Sequence, residues 1–218
     1  MIDWKQIDTV LLDMDGTLLD LHFDNYFWQE FVPHKYAELH GLTIDTAKQQ
    51  LKPQFKSMEG QLEWYCLDYW SQALQLNIAG LKADMAHRIA VLPYVDTFLE
   101  RLSASPRKVF LVTNAHRDSL ALKMEKAPLQ HFFDAIISSH DLGLPKEHPE
   151  FWPSLHKKHP FDKHTTALID DSLSVLRSAR QYGIGHLVSI SKPDSQLPCR
   201  HIEDFIAIED FRSLMAGL

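Results

Sequence analysis

An α/β fold, with a parallel sheet covered by helices on both faces, is what this chain predicts, on two observations. Short, continuously apolar runs rich in β-branched residues recur along it, as strands buried on both faces require. Segments of helical period separate those runs, so each connection has the length of a βαβ crossover. At 218 residues and 45% hydrophobic content the chain can bury a sizeable core, as one domain or as a core with a smaller insert.

The predicted strands are residues 9–14, 108–113, 135–138, 167–170 and 186–190, with 205–208 as a last edge strand. Val95, Phe98, Leu99 and Leu102 follow the i, i+3, i+4, i+7 rule, and Pro93 suits the first turn of that helix. Leu173, Leu176, Ala179 and Arg180 mark another helix, with Gly183 placed to close it. Residues 18–87 differ, because they hold no convincing strand. Leu62, Tyr65, Cys66, Tyr69, Trp70, Ala73 and Leu74 form one apolar helical face, and Phe23, Tyr26, Phe27 and Phe31 form another. The expected organisation is a Rossmann-like core of residues 1–17 and 88–218, interrupted by an all-helical insert at 18–87.

Composition narrows the function. A net charge of −7 argues against a nucleic acid polymer or an anionic membrane as the main partner. No apolar stretch approaches the ~20 residues that span a bilayer, and the N-terminus lacks the shape of a signal peptide. A cytoplasmic monomer or weak oligomer is expected. Cys66 and Cys199 show no metal spacing and read as ordinary thiols. The 13 histidines, His156 and His159 among them, show no ligand spacing that would indicate zinc.

The chemistry is concentrated in Asp13-Met14-Asp15-Gly16-Thr17, at the end of the first predicted strand. Such a pattern arises by chance in about a few chains per thousand of this length. Two carboxylates at a buried strand end are costly unless a cation or donors compensate them. A hard cation plus chemistry explains the pair, one Asp acting as nucleophile and the other carrying a proton. Three further strand ends add polar groups. Thr113-Asn114 brings a hydroxyl and amides to a helix start, where anions bind; alone, the pair could simply cap that helix. Lys146 follows Pro145 in a loop, and Asp170-Asp171 puts a second acidic pair at the same sheet edge. Four clustered carboxylates need a divalent cation among them, and an oxygen-only set suits Mg²⁺.

The order Asp-x-Asp-Gly-Thr, strand-Thr-Asn, Lys, strand-Asp-Asp resembles the haloacid dehalogenase (HAD) superfamily of phosphohydrolases, over nearly the whole chain. The helical insert resembles that superfamily's first class of cap. The stretches Leu11-Leu12-Asp13-Met14-Asp15-Gly16-Thr17, Phe23-Asp24-Asn25-Tyr26-Phe27-Trp28, Trp64-Tyr65-Cys66-Leu67-Asp68-Tyr69-Trp70 and Thr113-Asn114-Ala115-His116 are similar to the bacterial GMP/IMP-type 5′-nucleotidases. The superfamily's lysine motif commonly reads Lys-Pro. Here the order is Pro145-Lys146-Glu147, as in that narrower group.

The resemblance implies a Mg²⁺-dependent phosphomonoesterase for a small phosphate ester, a purine nucleoside 5′-monophosphate by the narrower likeness. Asp13 would be the nucleophile and Asp15 the acid and base, with Gly16 allowing the turn and Thr17 bracing its backbone. Thr113, the Asn114 amide and Lys146 would bind phosphate. Asp13, Asp15 (by its carbonyl) and the Asp170–Asp171 pair, directly or through water, would hold the metal. A phosphosugar phosphatase or mutase, and a non-catalytic phosphate-binding relative, are the alternatives. The aromatic stripe of Tyr65, Tyr69 and Trp70 fits either cap core or a base-stacking platform.

Overall fold

The computed structural model describes residues 2–218. Six strands form one all-parallel sheet: β1 Thr9–Leu12, β2 Lys108–Thr113, β3 Ala135–Ser138, β4 Thr166–Asp170, β5 His186–Ile190 and β6 Ile206–Ile208. Their spatial order is β3-β2-β1-β4-β5-β6, the doubly wound arrangement. The chain runs outward from β1 in one direction and from β4 in the other. The carboxyl ends of these two neighbours therefore flank the switch point, where α/β sheets bind ligands.

Alternation along each strand divides the core in two. Val10, Leu12, Val109, Leu111, Ala167 and Ile169 pack on one face, with the helix Val95–Ser103 beneath them. Leu11, Phe110, Val112 and Leu168 face the other side, under the helices Phe151–Lys158 and Leu173–Tyr182. Gly183 closes the latter helix in a left-handed conformation, as expected. Pro93 lies outside the first turn, two residues before the first helical residue: Tyr94, itself left-handed, is the N-cap of Val95–Ser103.

Residues between 22 and 88 are helical and build a third apolar cluster of their own, around Phe23, Phe27, Leu51, Leu67, Trp70 and Leu74. In chain order the helices are α1 His22–Tyr26, α2 Val32–His40, α3 Ile44–Met58, α4 Leu67–Leu74 and α5 Ile78–Asp84. Both predicted apolar faces are broken. A π-helical turn, Phe27–Phe31, links α1 to α2, and a 3₁₀ turn, Leu62–Tyr65, precedes α4. The widened turn shifts the helical register, so Phe27 is buried while Trp28 is left half-buried. No helix among the described residues is long and apolar enough to cross a membrane.

Candidate active site

β1 ends at Leu12, so Asp13 and Asp15 lie beyond it rather than within an extended strand. Both still face one cavity of about 370 Å³ at the carboxyl edge of the sheet. Lys146 is the hub beneath it, 2% exposed, with all three ammonium donors in use. It donates to Asp13 Oδ1 at 2.6 Å, to Asp170 Oδ2 at 2.7 Å and to the Val112 carbonyl at 3.0 Å. Burial opposes the charge on Lys146, but Asp13 and Asp170 overcome it and raise its pKa.

Thr17 departs from expectation. Its hydroxyl donates to Asp13 Oδ2 at 3.1 Å, so it orients the carboxylate as well as closing the turn. Gly16 is left-handed, and a Cβ there would lie 2.7 Å from the Asp171 carboxyl carbon. Both the backbone angle and the close approach demand glycine.

Thr113 Oγ1 accepts from the Ala115 N–H at 3.0 Å, which leaves its own proton for a ligand. The Asn114 side chain has a different task. Its Oδ1 accepts from the Lys146 N–H at 2.9 Å and its Nδ2 donates to Glu147 at 2.9 Å, which fixes the lysine loop. Neither residue caps the following helix, α6 Arg117–Lys126, whose N-cap is His116.

Oxygens of Asp13, Asp170 and Asp171, all buried, lie within 4.8 Å of one another. Asp170 also accepts from the Ser172 N–H at 2.8 Å. Burial pushes Asp170 up to about 7 against the pull of Lys146, and burial with two carboxylate neighbours pushes Asp171 well up. A guanidinium, that of Arg200, stands 3.7 Å from Asp171 and spends its hydrogen bonds on the Asp171 and Ile190 carbonyls. The cluster thus carries more negative charge than its fixed cations neutralise, as a divalent-cation site does.

Sequence reasoning missed the ionic chain above Asp15. Lys123, on α6, is 1% exposed and donates at 2.6 Å both to Asp15 and to Asp24 of α1. Lys82, on α5, donates to the other Asp24 oxygen at 2.6 Å and sits over the Phe23 and Phe27 rings. Burial pushes Asp15 up to about 6, with Lys123 opposing. Burial would raise Asp24 as well, but its two lysines hold it far below the usual range. Asp24 lies inside the nucleotidase-like stretch Phe23–Trp28, where sequence alone gave it no role. For Lys123 the one signal was an unpaired charge within an otherwise ordinary helix.

Trp28, Phe55, Trp64 and Trp70 wall the upper cavity. Their rings meet edge to face, Phe55 and Trp70 at 5.0 Å and Trp28 and Trp70 at 6.0 Å. Tyr65 also lines it, but its hydroxyl is bound to Glu147 at 2.6 Å, one of several ties between helical insert and sheet.

A charged base, an acidic cluster at the switch point and an apolar roof match one enzyme architecture, and the comparison with known proteins agrees. The family model "haloacid dehalogenase-like hydrolase" matches residues 10–188. This chain belongs to that family. The GMP/IMP nucleotidase YrfG of Escherichia coli K12 is 39% identical over 217 residues, covering 100% of this chain and 98% of its own. A phosphoglycolate phosphatase of Nitrosococcus oceani is 27% identical over 212 residues, covering 88% of this chain and 92% of its own. Among solved structures, a HAD phosphatase from Thermococcus onnurineus superposes with a TM-score of 0.79 at 21% identity, over 96% and 97% of the two chains. The protein is a HAD-type phosphatase.

Proposed function

We propose that this phosphatase hydrolyses purine nucleoside 5′-monophosphates of the GMP/IMP type, with Mg²⁺ and through an aspartyl-phosphate. One observation carries the reading: a single cavity joins Asp13, Lys146 and the acidic cluster below to an aromatic wall above. The full-length likeness to a GMP/IMP nucleotidase points the same way.

Residues 18–87 act as the cap over a core of residues 1–17 and 88–218. Mg²⁺ fits the site, since three buried carboxylates converge there and Lys146 already has two of them. The Asp13 and Asp171 carboxylates and the Asp15 carbonyl would hold it, with Asp170 joining directly or through water. Bound there, it would neutralise charge on the phosphoryl group and polarise it toward attack. An Asp13 carboxylate oxygen attacks phosphorus, and the bond to the ester oxygen breaks. Asp15 gives its proton to that leaving oxygen. Asp15 then takes a proton from the water that attacks the phospho-enzyme, releasing inorganic phosphate and free Asp13. A group titrating near 6 can do both near neutrality. Thr113 and the Asn114 amide bind phosphoryl oxygens at fixed positions, and Lys146 exchanges one of its three present acceptors for a phosphoryl oxygen.

Phosphate release from nucleotides, phosphoglycolate and sugar phosphates, with and without Mg²⁺, tests the proposal. GMP and IMP should lead the panel and turnover should require the metal. A preference for phosphoglycolate or a hexose phosphate would move the assignment to the second reading, which the phosphoglycolate phosphatase relative favours.

A further inference from the structure

We propose that Cys66, His116 and His140 form a second metal site, one for Zn²⁺, that fastens the helical cap to the core beside the cavity. The three are far apart in sequence, but one ligand atom from each lies within 4.8 Å of the other two. Cys66 precedes α4 in the cap, while His116 follows β2 and His140 follows β3 in the core. The set therefore spans both parts of the molecule. All three are half-buried, so water competes weakly for them.

His116 has one nitrogen engaged locally, and His140 has a spare one. His116 Nδ1 accepts from the Asp118 N–H at 3.4 Å as the cap of α6, while Nε2 stands 3.7 Å from Asp68 Oδ2. His140 Nε2 is buried with no hydrogen-bond partner. Burial, and then the neighbouring His116, lower the His140 pKa below its ordinary value.

One sulfur and two imidazole nitrogens suit Zn²⁺ and not Mg²⁺. Bond lengths of about 2.0–2.3 Å separate tetrahedral ligands by about 3.5 Å, so the side chains need close by only about 1 Å. Asp68, exposed beside His116, or a water completes four-coordination. The chemistry is distinct from that of the Asp13, Asp170 and Asp171 oxygens, which would take the hard cation.

The test uses the full-length protein in saturating Mg²⁺, with Co²⁺ as the spectroscopic probe and Zn²⁺ for affinity. Wild type should take up one Co²⁺ with a thiolate charge-transfer band, displaced by one Zn²⁺. Loss of a supporting partner alone weakens such sites about 10- to 100-fold, so Cys66→Ser and His140→Ala should lose about 100-fold or more in Zn²⁺ affinity. Circular dichroism and the metal-free melting temperature establish that both variants are folded. Zn²⁺ should slow turnover of wild type and not of Cys66→Ser, because a fastened cap opens less often. Absence of the thiolate band, or equal Zn²⁺ affinity in wild type and both folded variants, would overturn the site. Equal inhibition of wild type and Cys66→Ser would overturn the fastening.

Discussion

Asp13 receives two donors of different kinds, the Lys146 ammonium on one oxygen and the Thr17 hydroxyl on the other. Both aim the carboxylate, and Lys146 does not depend on Asp13 alone to stay in place. In Asp13→Asn, Lys146 keeps Asp170 and the Val112 carbonyl, and one charge leaves a crowded acidic cluster. The variant should melt no lower than wild type while losing turnover by at least about 1,000-fold. More than about a tenth of the wild-type rate, in material free of deamidation, would remove Asp13 from the nucleophile's role. In the proposed mechanism Asp15 serves the leaving oxygen instead, so its removal should discriminate between substrates. Asp15→Asn should slow a nucleotide about 10²- to 10⁴-fold and an activated nitrophenyl ester far less, because nitrophenolate leaves unprotonated. Paired single-turnover rates on the two esters check this, and equal slowing would leave Asp15 only a structural or metal-binding part.

At the scale of elements, legibility depended on whether a signal lay within one segment. All of the expected strands formed; the central ones are buried on both faces and write their environment into four to six consecutive residues, while the three-residue edge strand β6 leaves Ile206 and Ala207 exposed. The helical insert was legible as helix but not in register. The π-helical turn at Phe27–Phe31 and the break before α4 come from packing between helices, which no local period records. Asp13, Thr113, Asn114 and Asp170 at or just past strand ends, with Lys146 in the loop after β3, could be read as candidates because topology gathers such ends at one edge. The chain Asp15–Lys123–Asp24–Lys82 could not, since it pairs charges from four separate segments. Its energetics are nonetheless definite. Removing one member of a buried ion network strands the others, so Asp24→Asn should cost about 3–5 kcal/mol. Asp24 is depressed in the folded state, so its contribution is fully present above the unfolded carboxylate value of 3.8 and fades as pH falls through and below it. Urea midpoints should differ strongly between wild type and variant at pH 7 and converge only in acid. A neutral-pH difference under about 1 kcal/mol would show that the network is not the tie between cap and core that its geometry describes.

Across the whole molecule, the proposed function divides reaction and selection between two layers. The sheet edge supplies acid, ammonium and carboxylates, while the cap supplies a wall of rings over the same cavity. Those rings are not equivalent. Trp70 is 2% exposed, packs edge to face on Phe55, and donates its indole N–H to the Trp64 carbonyl, so it belongs to the cap's own core. Trp70→Ala should destabilise the protein by about 3–5 kcal/mol and depress every activity together. Trp28 and Trp64 are half-buried against the cavity and have surface to offer a purine. If one of them stacks on the base, its replacement by Ala should lower nucleotide kcat/KM by about 1–3 kcal/mol in transition-state binding. The same variant should leave a small aryl phosphate nearly untouched, because that substrate never reaches the roof. Steady-state comparison of GMP or IMP with the aryl ester, in variants whose melting temperature matches wild type, separates the two roles. Parallel losses on both substrates at Trp28 and at Trp64 would mean that the rings only build the cap, and that the base is read by other groups of the cavity wall.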